Sequence, residues 1–201
     1  MNPANKLTLS RFGIAFVMSI FLTCPIPFGK ILALFFFLIA GLTDYWDGRW
    51  ARNSYGVTAF GQLMDPLADK TLVSAAFISF VALDQLVPAW IVIAIVVREF
   101  LVTALRLLAA NQGKLIPAGR WGKHKMMWQV AVIFIIIFGL AIREDIFPLF
   151  LSPQELQTFL ISYDYYFHYI TLVISFLAAL LTVVSGTIYF WQFKDMVMRN
   201  A

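Results

Sequence analysis

Charge is what this chain has least of: only 13% of its 201 residues are Asp, Glu, Lys or Arg, against 61% hydrophobic. A soluble domain of this length could not cover its surface at that ratio, so the composition indicates a membrane protein. The single cysteine, Cys24, excludes an internal disulfide and is silent about redox compartment. Histidine is nearly as scarce, and His124 and His168 are read as interfacial residues rather than metal ligands. Internal repeats, low-complexity tracts and long linkers are missing too, which leaves one domain over residues 1–201.

What the chain does have is apolar sequence in long runs. A hydrocarbon core of about 30 Å needs roughly 20 apolar residues per helix. Six such segments occur, at about 8–23, 31–52, 59–82, 87–109, 126–142 and 167–190. The expected fold is an all-α integral membrane protein, a compact bundle of six transmembrane helices. The first segment has the look of a signal peptide, but no small-x-small cleavage site follows it, and the run ending at Cys24 is a poor lipoprotein box. A retained helix is expected there.

The basic residues set the expected orientation. With the N-terminus inside, the cytoplasmic face collects Lys6, Arg11, Arg49, Arg52, Lys114, Arg120, Lys123, Lys125, Lys194 and Arg199. The outer face keeps Lys30 and Arg143 beside Asp84, Glu144, Asp145, Glu155 and Asp164. Both termini are therefore expected in the cytoplasm. The net charge of +4 is concentrated where anionic headgroups or phosphorylated substrates would meet it. A nucleic-acid partner is not expected, because these cations border lipid-spanning helices.

Four carboxylates stand out inside this apolar background. Asp44, Asp47, Gly48, Ala51, Arg52, Gly61, Asp65 and Asp69 spell D-x2-D-G-x2-A-R-x8-G-x3-D-x3-D. Acidic groups near membrane depth are costly and mark function by default. On an α-helix, Asp44 and Asp47 are separated by about 60° and ~4.5 Å, and Asp65 and Asp69 by about 40° and ~6 Å. Each pair therefore shares a face. The short connection between the two helices makes them antiparallel neighbours, so the pairs meet at one depth. Four anions that close repel strongly unless a cation joins them, and an all-oxygen donor set favours Mg²⁺ or Mn²⁺ over zinc. Any one of these aspartates could instead be solvated at the interface or paired with Arg49, Arg52 or Lys70. Gly48 and Gly61 give bare backbone for a nucleotide to approach, or serve helix packing. Arg52 could grip a diphosphate or anchor the helix end.

The whole pattern is similar to the signature of the CDP-alcohol phosphatidyltransferases, with each signature position present. That resemblance implies displacement of CMP from a CDP-linked lipid by an alcohol hydroxyl. It implies two metal ions held by Asp44, Asp47, Asp65 and Asp69, with Asp69 also the catalytic base. It implies CDP-lipid contacts from Gly48, Ala51, Arg52, Thr58 and Gly61. A homodimer is implied as well.

The signature speaks only to the donor. For the acceptor, Arg98, Glu99 and Arg106 lie in the fourth segment, and Gly122-Lys123-His124-Lys125 follows it. Buried cations at a polar site suggest an anionic acceptor; the alternative is local charge balance of Arg98 with Glu99 and of the lysines with lipid phosphates. The stretch REFLVTALRLLAANQGKLIPAGRWGKHK resembles that of bacterial phosphatidylglycerophosphate synthases, as do FGQLMDPLADK and NPANKLTLSR. In the last, Asn5, Thr8 and Arg11 match the family's pattern and join the CDP-lipid set. This closer resemblance implies CDP-diacylglycerol as donor and sn-glycerol 3-phosphate as acceptor, with Arg98, Arg106, Lys123 and Lys125 holding the acceptor phosphate. One departure is Met126, where the family often has threonine. A bacterial inner membrane is the expected location, an organellar one the alternative. Rival readings are the same chemistry on inositol phosphate, serine or phosphatidylglycerol, an ion or proton transporter, or a scaffold. A transporter would place its charges near the midplane, often in two related halves, whereas these aspartates cluster toward one face. Residues 143–201 offer little beyond hydrophobicity.

Overall fold

The computed structural model describes the backbone of residues 3–54, 59–83, 86–111 and 120–198. Side chains are described for 9–43, 64, 67, 68, 70–83, 86–107, 109 and 124–191. Among these residues every regular element is helical: α1 Pro3–Thr23, α2 Gly29–Ser54, α3 Ala59–Ala82, α4 Ala89–Asn111, α5 Arg120–Ala141, a π-helical turn Ile142–Ile146, α6 Phe147–Phe150 and α7 Pro153–Met198. The six expected segments match α1 to α5 and α7, except that 87–109 begins two residues before α4 and 126–142 ends one residue past α5.

Proline and short polar caps account for the boundaries. Pro3 opens α1, where its missing N–H is not needed, and Pro25 and Pro27 prevent its continuation. The chain then turns through Phe28, whose φ of 56° is the left-handed conformation. Pro88 precedes α4 and Pro153 begins α7. At the start of α7, Ser152 donates its Oγ–H (2.6 Å) and its N–H (3.0 Å) to Glu155 Oε2, a variant of the capping box.

α7 differs from the expectation. Its 46 residues extend well beyond 167–190, and the stretch 153–166, which lies between the expected segments, is helical. The reason is in the sequence: from Gln154 to Ser185 there is no glycine or proline to stop a helix begun by a good cap. Such a helix is about 69 Å long, more than twice a hydrocarbon core of about 30 Å.

α1 packs against α2 and α3, while α7 packs against α4 and α5; contacts of α2 with α5 and of α3 with α4 join the two groups. The shared core is built from Met18, Leu22, Phe77, Phe80, Ile91, Ile95, Ile133 and Ile136, all fully buried. Outward faces are equally apolar, with Phe16, Phe35, Ile93, Leu101, Ile135 and Leu180 exposed. Pro153–Trp191 is long and apolar enough to cross a membrane; Leu9–Thr23, Gly29–Thr43 and Lys70–Ala82 are shorter apolar stretches among the described residues. Gly139 lets α7 come close to α5, since a Cβ there would stand 2.2 Å from the Phe167 ring.

Charges assigned above to the outer face form a lock between helices. The π-helical turn swings Asp145 inward, where its buried carboxylate accepts the N–H of Ile31 at 2.8 Å and caps α2. Arg143 donates twice to Asp164 on α7, at 2.6 and 2.8 Å. Lys30 donates to the Leu22 carbonyl at the end of α1 and lies 3.3 Å from Glu144. Replacing Asp145 with Ala should lower stability by about 1–2 kcal/mol, seen as a lower thermal midpoint in detergent. Because the lock is remote in the fold from Glu99, substrate KM values should stay unchanged.

Candidate active site

The last turns of α2 carry Asp44, Asp47, Gly48, Ala51 and Arg52, and the first turns of α3 carry Gly61, Asp65 and Asp69. The helical backbone puts the members of each aspartate pair on a common face, and α2 and α3 are in contact. The side chains of these residues, and those of Asn5, Thr8 and Lys123, lie outside the described residues, as does Thr58 altogether. Arg11 is described: it is buried on α1, the helix that packs against both α2 and α3.

One residue past Asp69 the described site begins. Lys70 Nζ lies 4.0 Å from Glu99 Oε2 of α4. Glu99 is 6% exposed, too buried for solvent alone to carry its charge, and further cations supply the remainder. Lys125, from the start of α5, donates to Glu99 Oε1, and Arg98 Nη1 donates to the same oxygen at 3.3 Å. Gln129, one turn beyond Lys125, places Nε2 at 3.5 Å from Oε1. The structure therefore brings Arg98 and Lys125 together around a carboxylate of the protein's own, with Arg98 paired to Glu99 as in the charge-balance alternative. Among the described residues, three cations share this one anion.

α7 closes the other side, and this contribution was not anticipated. Arg98 Nη2 donates to Ser185 Oγ at 2.8 Å, and Gln129 Nε2 donates to Thr182 Oγ1 at 2.9 Å. Arg106, two turns beyond Arg98, donates Nε to Tyr189 Oη at 3.0 Å, with its guanidinium 5.2 Å from that ring's centre. Arg98 Nε is buried without a partner among the described residues, an unmet donor of the kind an anionic ligand satisfies. A signal for this face existed. Thr171, Ser175, Ala178, Thr182, Ser185 and Tyr189 recur at alternating steps of four and three, and all are buried. Both histidines, His124 and His168, are exposed.

Helices throughout the described residues, with paired aspartates on two contacting helices and a cluster of cations around the buried Glu99, define a class. The chain belongs to the CDP-alcohol phosphatidyltransferase family, whose model matches residues 1–184, and it is accordingly a transferase. It is similar to the CDP-diacylglycerol–glycerol-3-phosphate 3-phosphatidyltransferase of Bacillus subtilis (strain 168), at 40% identity over 160 residues, 73% of this chain and 82% of that protein. It is similar also to the protein of the same name from Rickettsia bellii (strain RML369-C), at 31% identity over 193 residues, 94% of this chain and 93% of that one.

Glu99→Gln keeps the shape but removes the only described anion among Lys70, Arg98 and Lys125. The loss should be about 3–5 kcal/mol, read as poor yield or a much lower thermal midpoint. Glu99→Gln combined with Lys125→Gln should recover part of it, giving a non-additive double-mutant cycle.

Proposed function

We propose that this chain transfers the phosphatidyl group of CDP-diacylglycerol to sn-glycerol 3-phosphate, giving phosphatidylglycerophosphate and CMP. The observation that carries this reading is the full aspartate signature on α2 and α3, one residue from the cations that α3, α4 and α5 gather around Glu99. The curated relatives' names supply the same donor and acceptor.

Asp44, Asp47, Asp65 and Asp69 form a hard, all-oxygen donor set on contacting helices, which fits two divalent cations such as Mg²⁺ or Mn²⁺. When bound, these cations neutralise the diphosphate and the charge developing on the leaving group. Asn5, Thr8, Arg11, Gly48, Ala51, Arg52, Thr58 and Gly61 hold the CDP-lipid. Arg98, Arg106, Lys123 and Lys125 hold the acceptor's phosphate, which suits an anion better than serine or an uncharged alcohol. Asp69 takes the proton of the attacking hydroxyl. The hydroxyl oxygen bonds to the phosphatidyl phosphorus, the bond from that phosphorus to the CMP oxygen breaks, and CMP leaves with the electron pair.

The surroundings follow from the same chemistry. A lipid donor and apolar outer faces support an integral membrane bundle of six transmembrane helices, α1 to α5 and α7, with both termini in the cytoplasm. The site opens toward the cytoplasm, where glycerol phosphate and CDP-lipid are met, and the membrane is the bacterial inner one. The protein works as a homodimer.

Purified protein given CDP-diacylglycerol, Mg²⁺ or Mn²⁺ and glycerol 3-phosphate should release CMP, and EDTA should stop it. Asp69→Asn should reduce turnover by about a thousandfold or more with an unchanged elution profile and thermal midpoint. Release only with inositol phosphate, serine or phosphatidylglycerol would keep the chemistry and replace the acceptor. Near-normal turnover of Asp69→Asn would remove this residue as the base.

A further inference from the structure

Ser185, Gly186 and Tyr189 lie past the residues 1–184 that the family model matches, so the match assigns them nothing. We propose that this turn of α7 is a specificity element: it positions Arg98 and Arg106 for a phosphate-bearing acceptor, an inference that rests on the functional reading above.

Arginine is a long side chain, and its value at a phosphate lies in the fixed fork of its donors. An arginine free to sample rotamers would lose much of that advantage on each binding event. Arg98 is denied this freedom at several points. Nη1 is held by Glu99 at 3.3 Å and Nη2 by Ser185 at 2.8 Å. Its stem also lies directly on the α7 backbone at Gly186. A Cβ there would stand 2.7 Å from Arg98 Cγ and 3.1 Å from Nε, so any side chain at 186 pushes the arginine off its track. Arg106 is fixed in the same way one turn further along α7, by the hydroxyl and ring of Tyr189. Both cations therefore come from α4, while their directions are set by α7. Neither Ser185 nor Tyr189 need touch substrate; they are positioning residues.

The test is initial-rate CMP release by the full-length protein against glycerol 3-phosphate at saturating CDP-diacylglycerol, and the reverse. Ser185→Ala and Tyr189→Phe should each raise the acceptor KM about tenfold, with kcat and the CDP-diacylglycerol KM within about twofold. Ser185→Thr, which keeps the hydroxyl, should restore the wild-type value. Gly186→Val should act in the same direction as Ser185→Ala. The preference for glycerol 3-phosphate over glycerol, as a kcat/KM ratio, should fall in each impaired variant. If all folded variants keep the wild-type acceptor KM, or if both substrates' KM values rise together, the proposal is overturned. Wild-type protein that releases no CMP with glycerol 3-phosphate would instead overturn the functional reading, and this inference with it.

Discussion

A carboxylate buried in an apolar bundle is the constraint around which the described site is organised. Glu99 cannot stay ionised there unaccompanied, and Lys70, Arg98 and Lys125 answer it from three different helices. The same contacts tie α3, α4 and α5 together at the level where α3 carries the aspartate signature. Among the described residues one anion faces three cations, and the cost of keeping these like charges together is offset by Glu99 rather than by solvent alone. Cations gathered in this way are suited to a phosphate.

α7 turns this cluster from a balance of charges into a shaped site. Its buried stripe of hydroxyls meets α4 and α5 along one face, with Thr182 taking Gln129, Ser185 taking Arg98 and Tyr189 taking Arg106. At the other end of the bundle, Asp145 and Arg143 anchor the π-helical turn to α2 and α7. The long helix is thereby tied to the bundle at two levels, and the Ser185, Tyr189 and Thr182 contacts themselves hold its register at the site. Register is what matters here, because a shift of one residue would carry Ser185 and Gly186 away from Arg98.

The helices and the chemistry were legible in the sequence to different depths. Each apolar run lies in a helix because length and composition dominate that choice, and Asp44, Asp47, Asp65 and Asp69 were visible because acids are rare in such runs. Arg98, Arg106 and Lys125 were visible for the same reason. The partners of these cations were not. A serine or tyrosine in an apolar helix is unremarkable until the facing helix is known, so Ser185 and Tyr189 passed as hydrophobic filler. The charges at 143–145 were assigned only to the outer face, because nothing local announces a π-helical turn, whose extra residue redirects Asp145 inward. The length of α7 was missed because hydropathy locates the stretch inside lipid, whereas a helix stops only where caps and breakers stop it.

The most direct test of the account is a structure of the protein with glycerol 3-phosphate bound. Its phosphate should lie between α4 and α7, with guanidinium donors of Arg98 and Arg106 and the Lys125 ammonium at about 2.7–2.9 Å from its oxygens. Ser185 and Tyr189 should keep their arginine contacts in that complex. A phosphate bound elsewhere, with Lys125 still engaged by Glu99 and Arg98 by Glu99 and Ser185, would contradict it and reduce the cluster to a structural ion network.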